Sequence, residues 1–312
     1  MIGRSLRQLF RPAPGGRTPV SLPLLELAQF DGRMTRTVLE GAMRARCQTV
    51  VLDEQTVLAR VLGRYKFLVD RRDLGLAPHL MLDGYWEYWA TELVVRHLRP
   101  GDTAFDIGAH VGYYAVLMAD LVGKDGRVHA VEPNPRLALL AERNLALNGF
   151  TGHATMHRAA ASDMAGDSLL FRSDPADPKN GRLLGRQDGT ALPGAMESIV
   201  PSIRLDDLTP GPAHFIKVDV EGAEAAVWAG MQGLLDRSPD VLLLLEFNAG
   251  RCIDPAALIA SMAARFPLRS LDLDARVSRA DPAVILAQRE DTMLVLTNRV
   301  MDDDQPSRPR PR

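Results

Sequence analysis

This sequence predicts a doubly wound α/β fold: a mostly parallel sheet with an antiparallel last strand, preceded by a small N-terminal α+β cap. Three observations carry the expectation. From residue 103 onward, short apolar runs of strand length alternate with longer runs of helical periodicity. The strand runs TAFDI, RVHAV, HFIKVDV and DVLLLLEFN are apolar along their length, as buried parallel strands are. Acids and glycines gather where these runs end, at Asp106, Gly108, Gly112, Glu132, Asp219 and Glu246.

Taken in order, residues 1–19 form a basic stretch with no sustained apolar core and no small-residue cleavage site, expected to be a flexible tail. Residues 20–85 form the cap. LLELAQF and MTRTVLEGAMRARC have helical spacing, and residues 48–70 turn β-like, with turn formers at Asp53-Glu54 and Gly63. The main domain is expected over residues 86–300. It opens with a helix over residues 86–98, stopped by Pro100-Gly101. Tyr85, Trp86, Glu87, Tyr88 and Trp89 crowd its start, either as a lid over a ligand or as rings that glue the helix to the sheet. Residues 103–133 then read as one βαβ unit: TAFDI, a glycine turn, the helix YYAVLMADL, a return at Gly123 and Gly126, and RVHAV.

After Glu132, NPRLALLAERNLALNG is an amphipathic helix with Leu137, Leu140, Leu145 and Leu147 on its apolar face, closed by Asn148-Gly149. ATMHRAAA is a third strand leading to Ser162-Asp163. Residues 164–205 interrupt the alternation and are expected to form an inserted hairpin, SLLFRSD and SIVPSIRLDDL flanking a polar, Gly-rich loop. HFIKVDV, the helix EGAEAAVWAGMQGLL, DVLLLLEFN, the helix PAALIASMAARF, and two last strands in LRSLDLD and DTMLVLTN complete the domain. Residues 301–312, rich in Pro and Arg, are expected to be disordered.

Composition narrows the function. A net charge of −2 gives no footprint for nucleic acid or an anionic membrane surface. No apolar run approaches the ~20 residues that a membrane span needs. The two cysteines, Cys47 and Cys252, have no paired spacing, which argues against a disulfide framework or a zinc site and fits a reducing, cytoplasmic setting. The other histidines lack metal-ligand spacing, and no metal is expected.

The strand-end acids narrow it further. A glycine turn feeding a helix N-terminus ordinarily cradles a phosphate, but Asp106 at its mouth would repel a pyrophosphate. An acid there suits a ligand carrying positive charge, and Glu132 at the next strand tip suits ribose hydroxyls. A positive centre plus a ribose points to S-adenosylmethionine. G-x-x-x-G spacing, rather than G-x-G-x-x-G, disfavours a nicotinamide dinucleotide, the alternative enzyme reading; a non-catalytic binding scaffold is the other. In open α/β sheets ligands lie beyond the strand C-termini at the point where strand order reverses, so Asp106 and Asp219 should share one crevice, with Glu246 further along. Asp219 and Glu221 also suit helix capping. His110, inside the turn, fits either a general base or a loop residue valued for its backbone. Asp163 fits an acceptor for the adenine amino group or a surface turn.

The runs FDIGAHVGYYAVLMADLVGKDGRVHAVEPNPRLALLAERNLALNG, AAASD, SIRLDDL and IKVDVEGAEAAVWAGM resemble the FkbM family of S-adenosylmethionine-dependent methyltransferases, over roughly residues 55–250. The resemblance implies a class I, Rossmann-like methyltransferase fold and O-methylation of a hydroxyl on a sugar, glycan or natural product. It assigns Asp106, Gly108 and Gly112 to the methionine end of the cofactor, Glu132 with Asn134 to the ribose side, and Asp163 to the adenine. It sets Asp219 beside the transferred methyl, where Asp219 or His110 would act as base, with Glu246 in reserve. The family more usually carries asparagine at the position of His110. The acceptor is expected to be a small molecule or glycan, chosen by the loop around KNGRL.

Overall fold

A computed structural model of the chain describes residues 22–30, 34–184 and 194–301. The tail expected at 1–19, residues 302–312 of the tail expected at 301–312, and residues 185–193 of the insert lie outside the described residues; Met301, expected in the tail, is buried against the core.

The cap consists of α1 (Arg36–Arg46) and an antiparallel sheet of β1 (Thr49–Val51), β2 (Thr56–Val61) and β3 (Tyr65–Asp70). α2 (Tyr88–His97) leads into β4 (Thr103–Ile107), α3 (Tyr113–Val122), β5 (Arg127–Val131), α4 (Pro135–Leu147) and β6 (Ala154–His157). A second sheet follows, built from β7 (Ala160–Ala161), β8 (Ser168–Asp174), β9 (Asp177–Leu183) and β10 (Met196–Ile203). The chain returns with β11 (Phe215–Val218), α5 (Glu224–Ala229), α6 (Gln232–Asp236), β12 (Leu242–Phe247) and α7 (Pro255–Arg265). It finishes with β13 (Leu268–Leu271), β14 (Val277–Arg279), α8 (Pro282–Ala287) and β15 (Thr292–Leu296).

The main sheet has the order β14-β13-β15-β12-β11-β4-β5-β6. β6, β5, β4, β11 and β12 run parallel, and β15 lies antiparallel between β12 and β13. Strand order therefore reverses between β4 and β11, which is where a ligand crevice opens. Alternation of side chains divides the core between the two faces. Ala104, Leu242 and Leu244 pack with α3 and the cap, while Phe105, Ile107, Leu243, Leu245 and Phe247 pack with α5, α6 and α7.

One helix ties the cap to this sheet. Asn144 and Asn148 on α4 face the outer edge of β3. The Leu68 amide donates to Asn144 Oδ1 (2.7 Å), and Asn144 Nδ2 donates to the Leu68 carbonyl (3.0 Å). Asn148 repeats both bonds with Lys66, at 3.1 and 2.8 Å. Asn144 Nδ2 also reaches the Val111 carbonyl in the glycine turn (2.9 Å).

Several local expectations need correction. Leu147 is 40% exposed, because a residue two beyond Leu145 has rotated off the buried face of α4. ATMHRAAA is not one strand: β6 stays in the main sheet, and β7 leaves it to run parallel to β10. The insert holds three strands rather than two, since the polar run DPKNGRL is β9, paired with β8. EGAEAAVWAGMQGLL breaks at Gly230 into α5 and α6. A Cβ on Gly230 would lie 1.9 Å from the Ser162 carbonyl oxygen, so this turn sits against bare backbone. α8 and β14 were not anticipated at all.

Candidate functional site

The crevice forms where the glycine turn meets the end of β11. The Gly108 and Ala109 amides donate to the Val131 carbonyl, and the Asp219 amide donates to the Ile107 carbonyl. Gly108 has φ +82°, and a Cβ there would stand 1.8 Å from the Asp219 carbonyl oxygen. Only glycine permits both the left-handed backbone and this approach. His110, at φ +53°, holds the next left-handed position, a conformation in which Asn, Asp and His are enriched. The left-handed position thus admits histidine as readily as asparagine.

Glu132, at the tip of β5, is almost fully buried. Its Oε2 accepts from the His110 amide and its Oε1 from the Asn134 amide, both at 2.8 Å. Burial pushes its carboxyl up to about 7 against the opposing effect of those two bonds. Asn134 itself caps α4 through the Arg136 and Leu137 amides.

β11 and β4 are in register at Lys217 and Asp106, which puts those side chains next to each other on one face. Lys217 is 2% exposed; its Nζ donates to Asp219 Oδ2 (2.9 Å) and lies 4.7 Å from the Tyr114 ring centre. Despite the cost of burial, Asp219, Glu87 and Asp106 together hold the ammonium well above its ordinary pKa. Asp106 is 1% exposed, and neither of its oxygens meets a donor in full hydrogen-bond geometry. Burial raises its carboxyl to about 6, with Lys217 and the Ala115 amide offsetting part of that cost.

At the far side Arg251 binds Glu221 (2.5 Å), Glu246 (3.3 Å) and Asp291. Burial, then Asp219 and Glu87, push the Glu246 carboxyl up. Asp219, Glu221 and Glu246 each bring one oxygen within 4.8 Å of the others, a cluster whose last two members already hold the Arg251 guanidinium. His110 Nε2 lies 3.3 Å from Asp73 Oδ2 without the alignment of a hydrogen bond, and burial lowers its pKa.

The sequence-derived residues thus divide. Gly108, His110, Glu132, Asp219 and Glu246 line the crevice. Asp106 lies one layer beneath its wall beside Lys217, and Gly112 sits at the N-terminus of α3 against Ala141. Asn134 is a buried helix cap, and Asp163 is an exposed turn residue bonded by Ser162 Oγ (3.0 Å). The aromatic run before α2 also divides: Trp86 and Glu87 reach the crevice, whereas Tyr88 is buried in the core.

Lys179 and Asn180, from the KNGRL run, line the crevice too, as does Tyr114, which no motif marks. The β8–β9 hairpin reaches it by packing on the cap. The Leu74 amide donates to the Ala176 carbonyl (2.8 Å), and the Lys179 side chain crosses Gly75, where a Cβ would meet Cε at 2.6 Å.

The crevice encloses about 1220 Å³ including its open mouth. Among the described residues, six carboxylates (Glu87, Glu132, Asp219, Glu221, Glu246, Asp291) but only two lysines, Lys179 and Lys217, line it. With Asp106 beneath, short of a hydrogen bond in full geometry, this donor set suits a ligand that brings positive charge and hydroxyl donors, and not a diphosphate.

Strand order, an antiparallel strand inside the far edge, and an acid-lined crevice at the β4–β11 switch point together define a class I methyltransferase. The profile of the methyltransferase FkbM domain matches residues 106–255. The 31-O-demethyl-FK506 methyltransferase FkbM of Streptomyces tacrolimicus is 32% identical over 178 residues, 47% of this chain and 67% of that protein. The chain belongs to the FkbM methyltransferase family, and its cofactor is S-adenosylmethionine. A protein-L-isoaspartate O-methyltransferase of Aeropyrum pernix is 46% identical over 54 residues, a match spanning 17% of this chain and 21% of that relative. Among solved structures, a TehB-like SAM-dependent methyltransferase from Corynebacterium glutamicum aligns at a TM-score of 0.40 and 13% identity, over 71% of this chain and 94% of that one. Family membership sets the nicotinamide alternative aside.

Proposed function

We propose that the protein O-methylates a hydroxyl group on a sugar, glycan or natural product, with Asp219 as the base. The observation that carries this reading is Asp219 itself. It stands at the switch point in the crevice wall with Oδ2 fixed by Lys217, while Oδ1 has no partner among the described residues. Lys217 orients the carboxylate, and the free oxygen can accept the proton of an acceptor hydroxyl, an assistance worth ~10²–10⁴-fold.

Bound S-adenosylmethionine supplies an electrophilic methyl group. Glu132 would hold the ribose hydroxyls on the lone pairs that its two amide bonds leave free. His110, kept neutral by burial, is the second candidate base. Glu246, pushed toward its protonated form by burial first and then by its acidic neighbours, is better fitted to donate a hydrogen bond than to take a proton. The acceptor would enter between the cap turn at Leu76 and the hairpin residues Phe171, Pro178, Lys179 and Leu183. Apolar walls with a few polar groups suit a small molecule or one sugar unit. We place the reaction in the cytoplasm, on the two cysteines that stand unpaired.

Among the described residues no helix is long and apolar enough to cross a membrane. The test is a panel of hydroxylated acceptors with wild type, Asp219→Asn and His110→Ala, followed by release of S-adenosylhomocysteine, with cofactor affinity measured in parallel. Loss of turnover in Asp219→Asn at unchanged cofactor affinity is the expected result. Near-normal turnover in both variants refutes the assignment, and a wild type that binds no S-adenosylmethionine at millimolar concentration supports a scaffold instead.

A further inference from the structure

One acid in the crevice wall has no role so far. Glu87 immediately precedes α2, its backbone in the left-handed region at φ +38°, and its carbonyl accepts the first helical bond from the Thr91 amide (2.9 Å). A glutamate rarely adopts that conformation unless its surroundings hold it there. Tyr114, on the first turn of α3, donates its hydroxyl to Glu87 Oε2 at 2.8 Å. The same ring lies over Lys217, so Glu87 sits at the tips of β4 and β11, and β5 with Glu132 lies on the other side of β4. Oε1 has no partner among the described residues.

The charges around it are unbalanced. Glu87, Asp106 and Asp219 gather around one buried ammonium, that of Lys217, which already donates to Asp219, and Lys179 acts on Glu87 more weakly and without an ion pair. A half-buried carboxylate without an ion pair of its own is costly, which is consistent with burial raising the Glu87 pKa. A ligand cation at this end of the crevice would restore the balance. Asp106 does not reach the wall to meet one; Glu87 does.

We infer that Glu87 is a cofactor-binding residue whose free oxygen pairs with the α-ammonium of S-adenosylmethionine. The assignment rests on the cofactor reading above and names the group that receives one of its two cationic centres. Tyr114 serves as the positioning residue that aims the carboxylate.

The test is isothermal calorimetry near pH 7.5 with two ligands, S-adenosylhomocysteine and its desamino analogue, which lacks only the ammonium. Glu87→Gln keeps the size of the side chain and an oxygen for Tyr114. It is expected to weaken S-adenosylhomocysteine by about 10- to 100-fold, the range of a hydrogen bond to a charged group, and to leave the desamino analogue unchanged. Tyr114→Phe, which leaves the carboxylate in place but unanchored, weakens the same ligand alone, by a few-fold. Equal weakening of both ligands by Glu87→Gln assigns the residue to wall structure and overturns the inference, as does no weakening of either. Wild-type protein that binds neither compound overturns the cofactor reading, and this assignment with it.

Discussion

Three glycines with nearly identical backbones offer a graded test of how the crevice is built. Gly149, Gly112 and Gly108 have φ of +82°, +84° and +82°, so an alanine at any of them carries the same left-handed strain, about 1–2 kcal/mol. Their surroundings differ. A Cβ at Gly149 meets nothing within 4 Å, at Gly112 it meets the Ala141 Cβ at 3.1 Å, and at Gly108 it meets the Asp219 carbonyl oxygen at 1.8 Å. Gly149→Ala should therefore cost only the strain. Gly112→Ala adds a contact that α4 can yield to by a few tenths of an ångström. Gly108→Ala forces the tip of β11 away from β4, adding overpacking and the loss of the bond from the Asp219 amide to the Ile107 carbonyl, for a total of about 3–6 kcal/mol. Urea unfolding at constant m-value measures the series, and calorimetry with S-adenosylhomocysteine reads the site. Gly108→Ala should lose cofactor affinity even where it remains folded, because Asp219 moves with the strand. Equal stability losses at all three positions would show that strain alone matters and would refute the close approach of the two strand tips.

Lys217→Met removes the cation shared by Asp219 and Asp106 and should destabilise the protein by about 3–5 kcal/mol at pH 8. The loss should shrink at pH 5, where Asp106, raised to about 6, takes up a proton; equal urea midpoint shifts at both pH values would count against this. Glu132 links stability to pH in the same sense. Its folded-state value near 7 lies above its ordinary 4.5, so the folded protein binds more protons in that window and stability falls as pH rises through it, by about 3 kcal/mol from this group alone. Glu132→Gln should flatten that part of the stability profile, and an unchanged slope would show that Glu132 ionises normally.

How much of this was legible in sequence depended on what fixes each residue. Gly108, Glu132, Asp219 and Glu246 belong to apolar strands whose ends and order follow from local pattern and the rules of parallel sheets, so their convergence could be read directly. Asp106 was read as facing the ligand because it ends a strand. One more residue, Ile107, completes that strand, and the register with Lys217 turns the carboxylate beneath the wall. Glu87 was legible only as one of a crowded run that could cover a ligand, because its exact place depends on how the cap seats α2 and on a tyrosine 27 residues away. β9 carries Pro178 and Gly181 in a polar run and exists through its pairing with β8, which no periodicity reveals.

The paired amides on α4 have a consequence for how the chain comes apart. Residues four apart on a helix span roughly 6 Å, close to the rise between residues two apart on a strand. Asn144 and Asn148 can therefore stand in for a neighbouring strand at Lys66 and Leu68, and a slip of β3 by one residue would leave them facing residues whose N–H and C=O groups point to β2. The small sheet is thus keyed to a helix that begins just after Glu132 and touches the glycine turn. Amide exchange in β3 should accordingly report the same opening event as exchange in α4. The roof and the floor of the crevice would then melt as one cooperative unit.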